Sequence, residues 1–478
     1  MSSETVSKTA EQKREKIPLR VRLGYGGFEG AYAMIWVIFY AFFMYFATDV
    51  IGLSPATAGV IMMLSALGDA ISDPITGIIT DKINTRWGRR RPLLLAVALP
   101  YGFVSWLLFT TPPWSETAIV VYFAVMVIVF YTVIDFVWTP GLALGAEMTL
   151  DYDERTSLAA YRTGWDGILG ILTGATALLV AKYFTDLLGS AKAGWSAMGA
   201  FYGALAVLPI LLTWRITRGY ERYREKSPEL SLKAIWHAIT RNKSFLYTIG
   251  IYTFAGASSN YNMAMVVYWL KYVFGYDEAL ISTVIGIATV APIIWVPVSN
   301  WLGRKLDKRR AIILIYSIAT VTSISLWFIK PLGGYAEMWI ILPIFLILGG
   351  LGSGIFLLGA AMVADAVEID ELQTGNRREG VYFSISSFTQ KLAIGFVLWS
   401  SGFIMDNTGY IAGAVQNVSA INGIRALMSL APAVLIVISI VCAFLNPMTR
   451  EKHAALLRII ELKKAGKEYD IEPIKDLL

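Results

Sequence analysis

Twelve apolar runs, each of about 20 residues, constrain this chain more than any other feature of its sequence. They fall near residues 24–49, 55–80, 92–111, 117–141, 160–185 and 196–214, and then near 245–272, 279–303, 311–330, 337–363, 380–405 and 424–446. A run of that length spans the hydrocarbon core as an α-helix, and in lipid only helices and closed barrels satisfy every backbone polar group. The composition agrees, since 56% of the 478 residues are hydrophobic and only 16% are charged, which fits no ordinary soluble domain. The expected fold class is an all-α integral membrane protein with twelve transmembrane helices in two six-helix bundles.

Basic residues orient such a chain, because cytoplasmic connections are enriched in Lys and Arg. With the amino terminus inside, the exterior connections hold only Lys182, Lys192, Lys271, Lys330 and Arg425, and Arg162 and Lys391 lie at or within the membrane. Every other one of the 41 Lys and Arg then falls on the cytoplasmic side. A multi-pass protein of the cell (inner) membrane with both termini cytoplasmic is therefore expected. A missing or extra helix would scramble that asymmetry. The longest interior connection divides the chain into a tail (1–23), a first bundle (24–214), a linker (215–243), a second bundle (244–446) and a second tail (447–478). Transporters built from two related bundles place their substrate near the midplane between them.

Several function classes drop out. The first 20 or so residues are polar and mixed in charge, so no signal peptide is expected. Cys442 is the single cysteine and reads as a small buried apolar residue, leaving no disulfide framework or thiolate cluster. His237 and His453 are far apart in cytoplasmic segments, so no metal site is expected of them. No nucleophile and base stand together, so neither an enzyme nor a cofactor is expected. The net charge of +6 belongs to loops facing anionic lipid and not to nucleic-acid binding. Residues 454–464 are apolar at helical spacing and close on Gly466, suited either to the inner leaflet or to packing on the protein's own loops.

Two acids interrupt the second run. Asp69 and Asp73 are four residues apart, hence on one helix face, where two carboxylates can share a cation or a proton. A carboxylate at the bilayer centre costs about 3 kcal/mol, so it faces a bundle interior or an ion path. Ser72 and, on the fourth helix, Thr132 add hydroxyl oxygens to a set of hard ligands for a monovalent cation. Sodium is the first expectation, and a proton the other, because paired carboxyls take up and release protons. The competing role is a salt bridge of one of these acids with Lys391 or an arginine that only locks the fold.

Asp135 is a third interior acid. With Arg162 it would clamp solute hydroxyls, the carboxylate accepting and the guanidinium donating in fixed geometry. Asp166, one turn beyond Arg162, is the alternative partner that neutralises the arginine. Lys391 pairs with the acids of the second and fourth helices, as part of the site or as a structural bridge. Trp138, Trp165, Phe356, Asn260 and Asn262 are candidates to line the cavity, although most tryptophans of such a chain sit at the lipid interface or in helix packing. Glu29, in a glycine-rich segment, is expected at the cytoplasmic rim as a gate, a cap or a solvated end. Basic turns holding an acid follow the second and eighth helices, at 80–91 and 303–310. In the first, Asp81 and Arg89 are gating candidates through charge pairing, with positive-inside anchoring as the simpler role.

That first turn resembles the loop signature of the major facilitator superfamily. Nearly the whole chain resembles the glycoside-pentoside-hexuronide:cation symporter family, of which the bacterial melibiose carrier is the best-known member. The resemblance is carried by Tyr45-Phe46-Ala47-Thr48-Asp49-Val50-Ile51-Gly52-Leu53, by Asp69-Ala70-Ile71-Ser72-Asp73-Pro74 with Arg86-Trp87-Gly88, and by Asp153-Glu154-Arg155-Thr156 with Tyr161-Arg162. Met362-Val363-Ala364-Asp365, Arg377-Arg378-Glu379-Gly380 and Lys391 continue it. It implies the major facilitator fold and a sodium-, proton- or lithium-coupled sugar symporter working by alternating access. By position it implies that Asp69, Ser72, Asp73 and Thr132 form the cation site. It likewise makes Asp135 the central sugar-binding acid, sets Arg162 within one residue of the sugar-binding arginine, and makes Lys391 the lysine of helix 11. Ser72 replaces the family's asparagine, Ala33 its helix 1 aspartate and Phe356 its helix 10 tryptophan, and Trp138 is displaced by one position. These departures fall mainly on the sugar side and point away from an ordinary galactoside.

The expected function is thus secondary active symport of a glycoside, pentoside or hexuronide with sodium or a proton. The expected partners are that small-molecule solute and the lipid bilayer, and the working unit is a monomer. One rival is a cation-dependent carrier of lysolipid or another amphiphile, favoured by the lost helix 1 aspartate and the aromatic content. Another is a solute sensor that does not transport.

Overall fold

A computed structural model describes residues 16–223, 242–332 and 336–477. Most of the expected first tail and of the expected linker, with His237, lies outside the described residues. The rest forms twelve helical rods and a tail helix. They are α1 (Leu19–Ile51), α2 (Pro55–Lys82), α3 (Arg91–Leu108), α4 (Glu116–Met148), α5 (Tyr152–Leu188) and α6 (Ala191–Ile216). In the second half come α7 (Lys243–Tyr268, then a π turn Trp269–Val273), α8 (Glu278–Leu306) and α9 (Lys308–Phe328). They are followed by α10 (Met338–Gly354, a π turn Ile355–Gly359 and Ala360–Thr374), α11 (Glu379–Asn407), α12 (Val418–Leu445) and the tail helix α13 (Arg450–Lys464).

Ten of these rods are long and apolar enough to cross a membrane by length and composition. The other two are α7, diluted by Ser258, Ser259, Asn260 and Asn262, and α10, whose apolar stretch among the described residues is the shorter Met338–Gly350. Helix ends outrun the apolar runs where polar caps take over. Asp151 accepts from the Glu154 amide at 3.0 Å and so starts α5 a turn or two before the apolar residues begin. With 33 residues, α4 is about 50 Å long and extends well beyond a hydrocarbon core of about 30 Å. The expected last run divides at Ser429 into Val418–Met428 and Leu430–Leu445.

Helices α1–α6 pack on one another, as do α7–α12, and three seams join the halves: α2 with α11, α5 with α8, and α1 with α7. The α2–α11 seam is close because glycines form it. A Cβ on Gly402 would stand 2.1 Å from the Pro55 carbonyl oxygen, and one on Gly59 would stand 3.0 Å from the Leu398 carbonyl oxygen. Helix α1 is buried almost throughout, with Phe39, Phe43 and Phe46 ringed by Phe109, Phe123 and Phe130. Two polar ends remain, named here by Asp49, at the finish of α1, and by Arg90, at the start of α3.

Candidate functional site

At mid-height three acids converge. Asp69 and Asp73 on α2 and Asp135 on α4 bring one carboxylate oxygen each to within 4.8 Å of the others. The α2–α11 seam delivers Lys391, whose Nζ donates to Asp69 Oδ1 at 2.8 Å and to Asp73 Oδ2 at 2.5 Å. Ser72 donates to Asp135 Oδ2, linking the helices. Pro74 has no N–H, so the carbonyl of Ala70, between the two aspartates, lacks its helical donor. Asp135 is 3% exposed, whereas the Asp73 side chain keeps 35% of its surface, so the cluster is reached from the Asp73 side. Thr132 donates to the Ile128 carbonyl at 2.9 Å on its own helix, and among the described residues no hydrogen bond ties it to the acids.

A second polar centre lies on α1 and α5. Arg162 Nε stands 2.6 Å from Glu29 Oε2, an ion pair whose angle is poor for a hydrogen bond. Arg162 thus pairs with Glu29, and Asp135 is bonded to Ser72. One expectation is corrected. Glu29 is 7% exposed and is not a solvated end, because the glycines around it let α5 close over α1: Gly26 and Gly30 both lie against the Trp165 ring. Asp166 sits one turn from Arg162 on the same helix face, behind that pair.

An aromatic pair bridges the two centres. Trp138, three residues beyond Asp135, meets Tyr32, three residues beyond Glu29, with ring centroids 4.4 Å apart, and Phe28 stands 6.2 Å from the same indole. Trp165 donates to the Leu23 carbonyl at 2.8 Å and backs a separate apolar groove of about 390 Å³ lined by Leu19, Leu23 and Leu212. On α7, Asn260 donates to the Gly256 carbonyl at 2.9 Å, and among the described residues its Oδ1 and that of Asn262 are buried without a donor. Gly256 in turn packs on Gln390, the neighbour of Lys391, which sets α7 beside the cluster. The side chain of Phe356 lies outside the described residues.

The family model described as MFS/sugar transport protein matches residues 24–450. The chain belongs to the MFS/sugar transport family. Relatives of this family member include the isoprimeverose transporter of Lactiplantibacillus pentosus, 27% identical over 415 residues, which are 86% of this chain and 85% of the relative. The Escherichia coli (strain K12) inner membrane symporter YicJ is 26% identical over 449 residues, 90% of this chain and 92% of its own. Among solved structures, a bacterial homologue of the human lysosomal transporter Spinster, inward-facing and occupied, aligns with a TM-score of 0.67 at 13% identity, covering 95% of this chain and 99% of that one. That likeness establishes the major facilitator fold. An MFS/sugar transport protein is a membrane transporter and not an enzyme.

Both polar ends of this MFS/sugar transport protein carry networks. At the Arg90 end, Asp81 pairs with Arg90 at 2.6 Å more closely than with the expected Arg89 at 4.0 Å, although Arg89 also donates to the Asp81 carbonyl at 2.7 Å. Glu147 pairs with Arg90 at 3.0 Å and with Arg89 at 3.6 Å, and Glu221 accepts the backbone N–H groups of Arg89, Arg90 and Arg91, capping α3. Sequence reasoning missed Glu147 because it ended the fourth run at 141; an acid so close to an apolar run was the available signal. In the second half Lys308 binds Asp365 at 2.7 Å, and His453 of α13 binds Glu368 at 2.7 Å. At the Asp49 end the two halves meet. Asp49 accepts from Thr48 at 2.7 Å, from Tyr410 at 2.7 Å and from Tyr272, Tyr268 lies 2.7 Å from the Thr48 hydroxyl, and Lys271 donates to Tyr45.

Proposed function

We propose that this protein is a cation-coupled secondary active symporter of a glycoside, pentoside or hexuronide. One observation carries the reading: three interior carboxylates cluster about a single ammonium, which bonds only two of them. With Lys391 bridging Asp69 and Asp73, full ionisation leaves two negative charges uncompensated, and an uncompensated buried charge is costly. A sodium ion or a proton lowers that cost, so the lysine bridge that could have closed the site as a mere structural lock leaves it in need of a cation. Asp69, Asp73 and Ser72 hold the ion, with Thr132 contributing only after turning from Ile128. Asp135 reads the ion through Ser72 and presents its other oxygen to the solute. Cation binding thereby orders the α2–α4 contact that the solute uses, and by linkage the solute raises cation affinity equally.

All twelve rods span the membrane in this reading, with both termini cytoplasmic and the Asp49 end outside. The Asp49 contacts then close the outer face, while the Arg90 networks run within each half, which is the arrangement of an inward-opening state. The transporter and symporter names of the relatives support the class of activity. The test is Asp73→Asn in proteoliposomes: solute accumulation driven by a sodium or proton gradient is lost, while membrane insertion is retained. Uphill uptake at the wild-type level would defeat the assignment. Imposing the two gradients separately on the wild type distinguishes sodium from protons.

A further inference from the structure

The charges assembled around the aromatic pair select among the solutes just named. We infer that the solute is a neutral polyhydroxylated ring and that hexuronides are discriminated against; the inference rests on the proposed sugar symport. Five carboxylates belong to the two centres, Asp69, Asp73 and Asp135 to one and Glu29 and Asp166 to the other. Two bases face them. Lys391 is committed to Asp69 and Asp73, and Arg162 is committed to Glu29 with Asp166 one turn away. A hexuronide would bring a sixth carboxylate to bases that are already outnumbered. The coupling cation adds one positive charge, which the Asp69–Asp73–Asp135 centre itself requires.

A neutral sugar meets none of that repulsion. Its hydroxyls are donors as well as acceptors, and ionised carboxylates are acceptors only, so Asp135 and Glu29 are matched to a hydroxyl at each end of the ring. Between those ends Tyr32 and Trp138 present aromatic surface, 4.4 Å apart and inclined by 33°, against which the apolar face of a sugar ring packs. The spacing is built into two helices: Asp135 and Trp138 are one turn apart on α4, Glu29 and Tyr32 one turn apart on α1. Glu29 is therefore a specificity-determining residue, since it occupies the one guanidinium that a uronate would otherwise claim.

The test uses the full-length protein in proteoliposomes and reads cation-gradient-driven uptake near pH 7. The probes are methyl xyloside and methyl glucoside on one side and methyl glucuronide on the other, the glucoside and glucuronide differing only in a hydroxymethyl or a carboxylate. A preference for the neutral partner of about tenfold or more is expected, because like charges placed together are strongly disfavoured. Equal or better uptake of the glucuronide overturns the inference and leaves sugar symport standing. Uptake of neither class overturns it together with the sugar reading. Glu29→Gln provides the second measurement: with Arg162 released, the glucoside-to-glucuronide ratio should fall several-fold even where total uptake also falls. A ratio unmoved in that variant shows that Glu29 does not set the selectivity.

Discussion

A lysine that bridges two acids inside a membrane is under more constraint than its bonds alone suggest. Its Nζ reaches Asp69 and Asp73 at 2.8 and 2.5 Å, and the Lys391 and Asp69 side chains keep only 16% and 14% of their surface. Removing one member of a buried pair strands the other charge, at a cost of about 3–5 kcal/mol, whereas removing both together costs far less. Lys391→Gln is therefore expected to destabilise the protein by about 3 kcal/mol, read as a lowered midpoint of unfolding in detergent. Adding Asp69→Asn should restore much of the loss, because the two residues act as one coupled unit. A double variant no more stable than the single one would mean that the bridge is not what the lysine supplies. Sequence alone left open whether Lys391 served the site or only locked the fold. The partnership spans 322 residues, and in the proposed site both roles fall to the same ammonium.

Among the elements, the tail helix shows how an ambiguous pattern is resolved by its neighbours. Its apolar stripe suited a membrane surface or a protein surface, and in the fold Leu456, Ile459 and Ile460 pack on Ile369 and Leu372 of α10 with Ile474 and Leu477 beside them. The contact is secured by polar bonds: Lys464 to Glu371 at 2.6 Å, Lys463 to the Leu372 carbonyl at 2.5 Å, and His453 to Glu368 at 2.7 Å, with Asp365 at 3.4 Å. The hydrogen bond to Glu368 raises the His453 pKa, helped by the charge of Asp365 and opposed by burial and by Lys308. A raised folded-state pKa stabilises fully below the ordinary histidine value of about 6.5, and that contribution is lost as pH climbs through the raised value. Docking of α13 should thus weaken from about pH 6.5 upward. Limited proteolysis of the tail, compared between wild type and His453→Gln at each pH, measures it: the protection gap should be wide in mild acid and close in mild alkali. A gap constant across that range would remove His453 from the tail contact.

For the whole molecule, the deciding feature is where the halves touch. The first helix of each half, α1 and α7, ends in a π turn, Phe46–Ile51 and Trp269–Val273, and those two turns meet through Asp49, Thr48, Tyr268 and Tyr272. Hydrogen bonds to a carboxylate contribute about 1.5–3 kcal/mol each, so this contact biases the equilibrium between opening to one side and to the other. Asp49→Asn should shift that equilibrium toward opening of the Asp49 end by about tenfold. Spin labels on residues 52 and 412 would report it as a growing long-distance population, and an unchanged distribution would remove Asp49 from the closure.

The twelve runs, the acid pair on one face of the second helix and the asymmetry of basic residues were all determined by the sequence itself, because span length, helical periodicity and loop charge are local properties. The Lys391 bridge, the Glu29–Arg162 pair, the Tyr32–Trp138 contact and the seal around Asp49 were decided only by tertiary structure. The physical reason is the same in each case. A helix that is apolar all round carries no amphipathic stripe to say which face meets which neighbour. Glycines that let α2 approach α11, and α5 approach α1, made that choice, and the choice placed two bases among five acids.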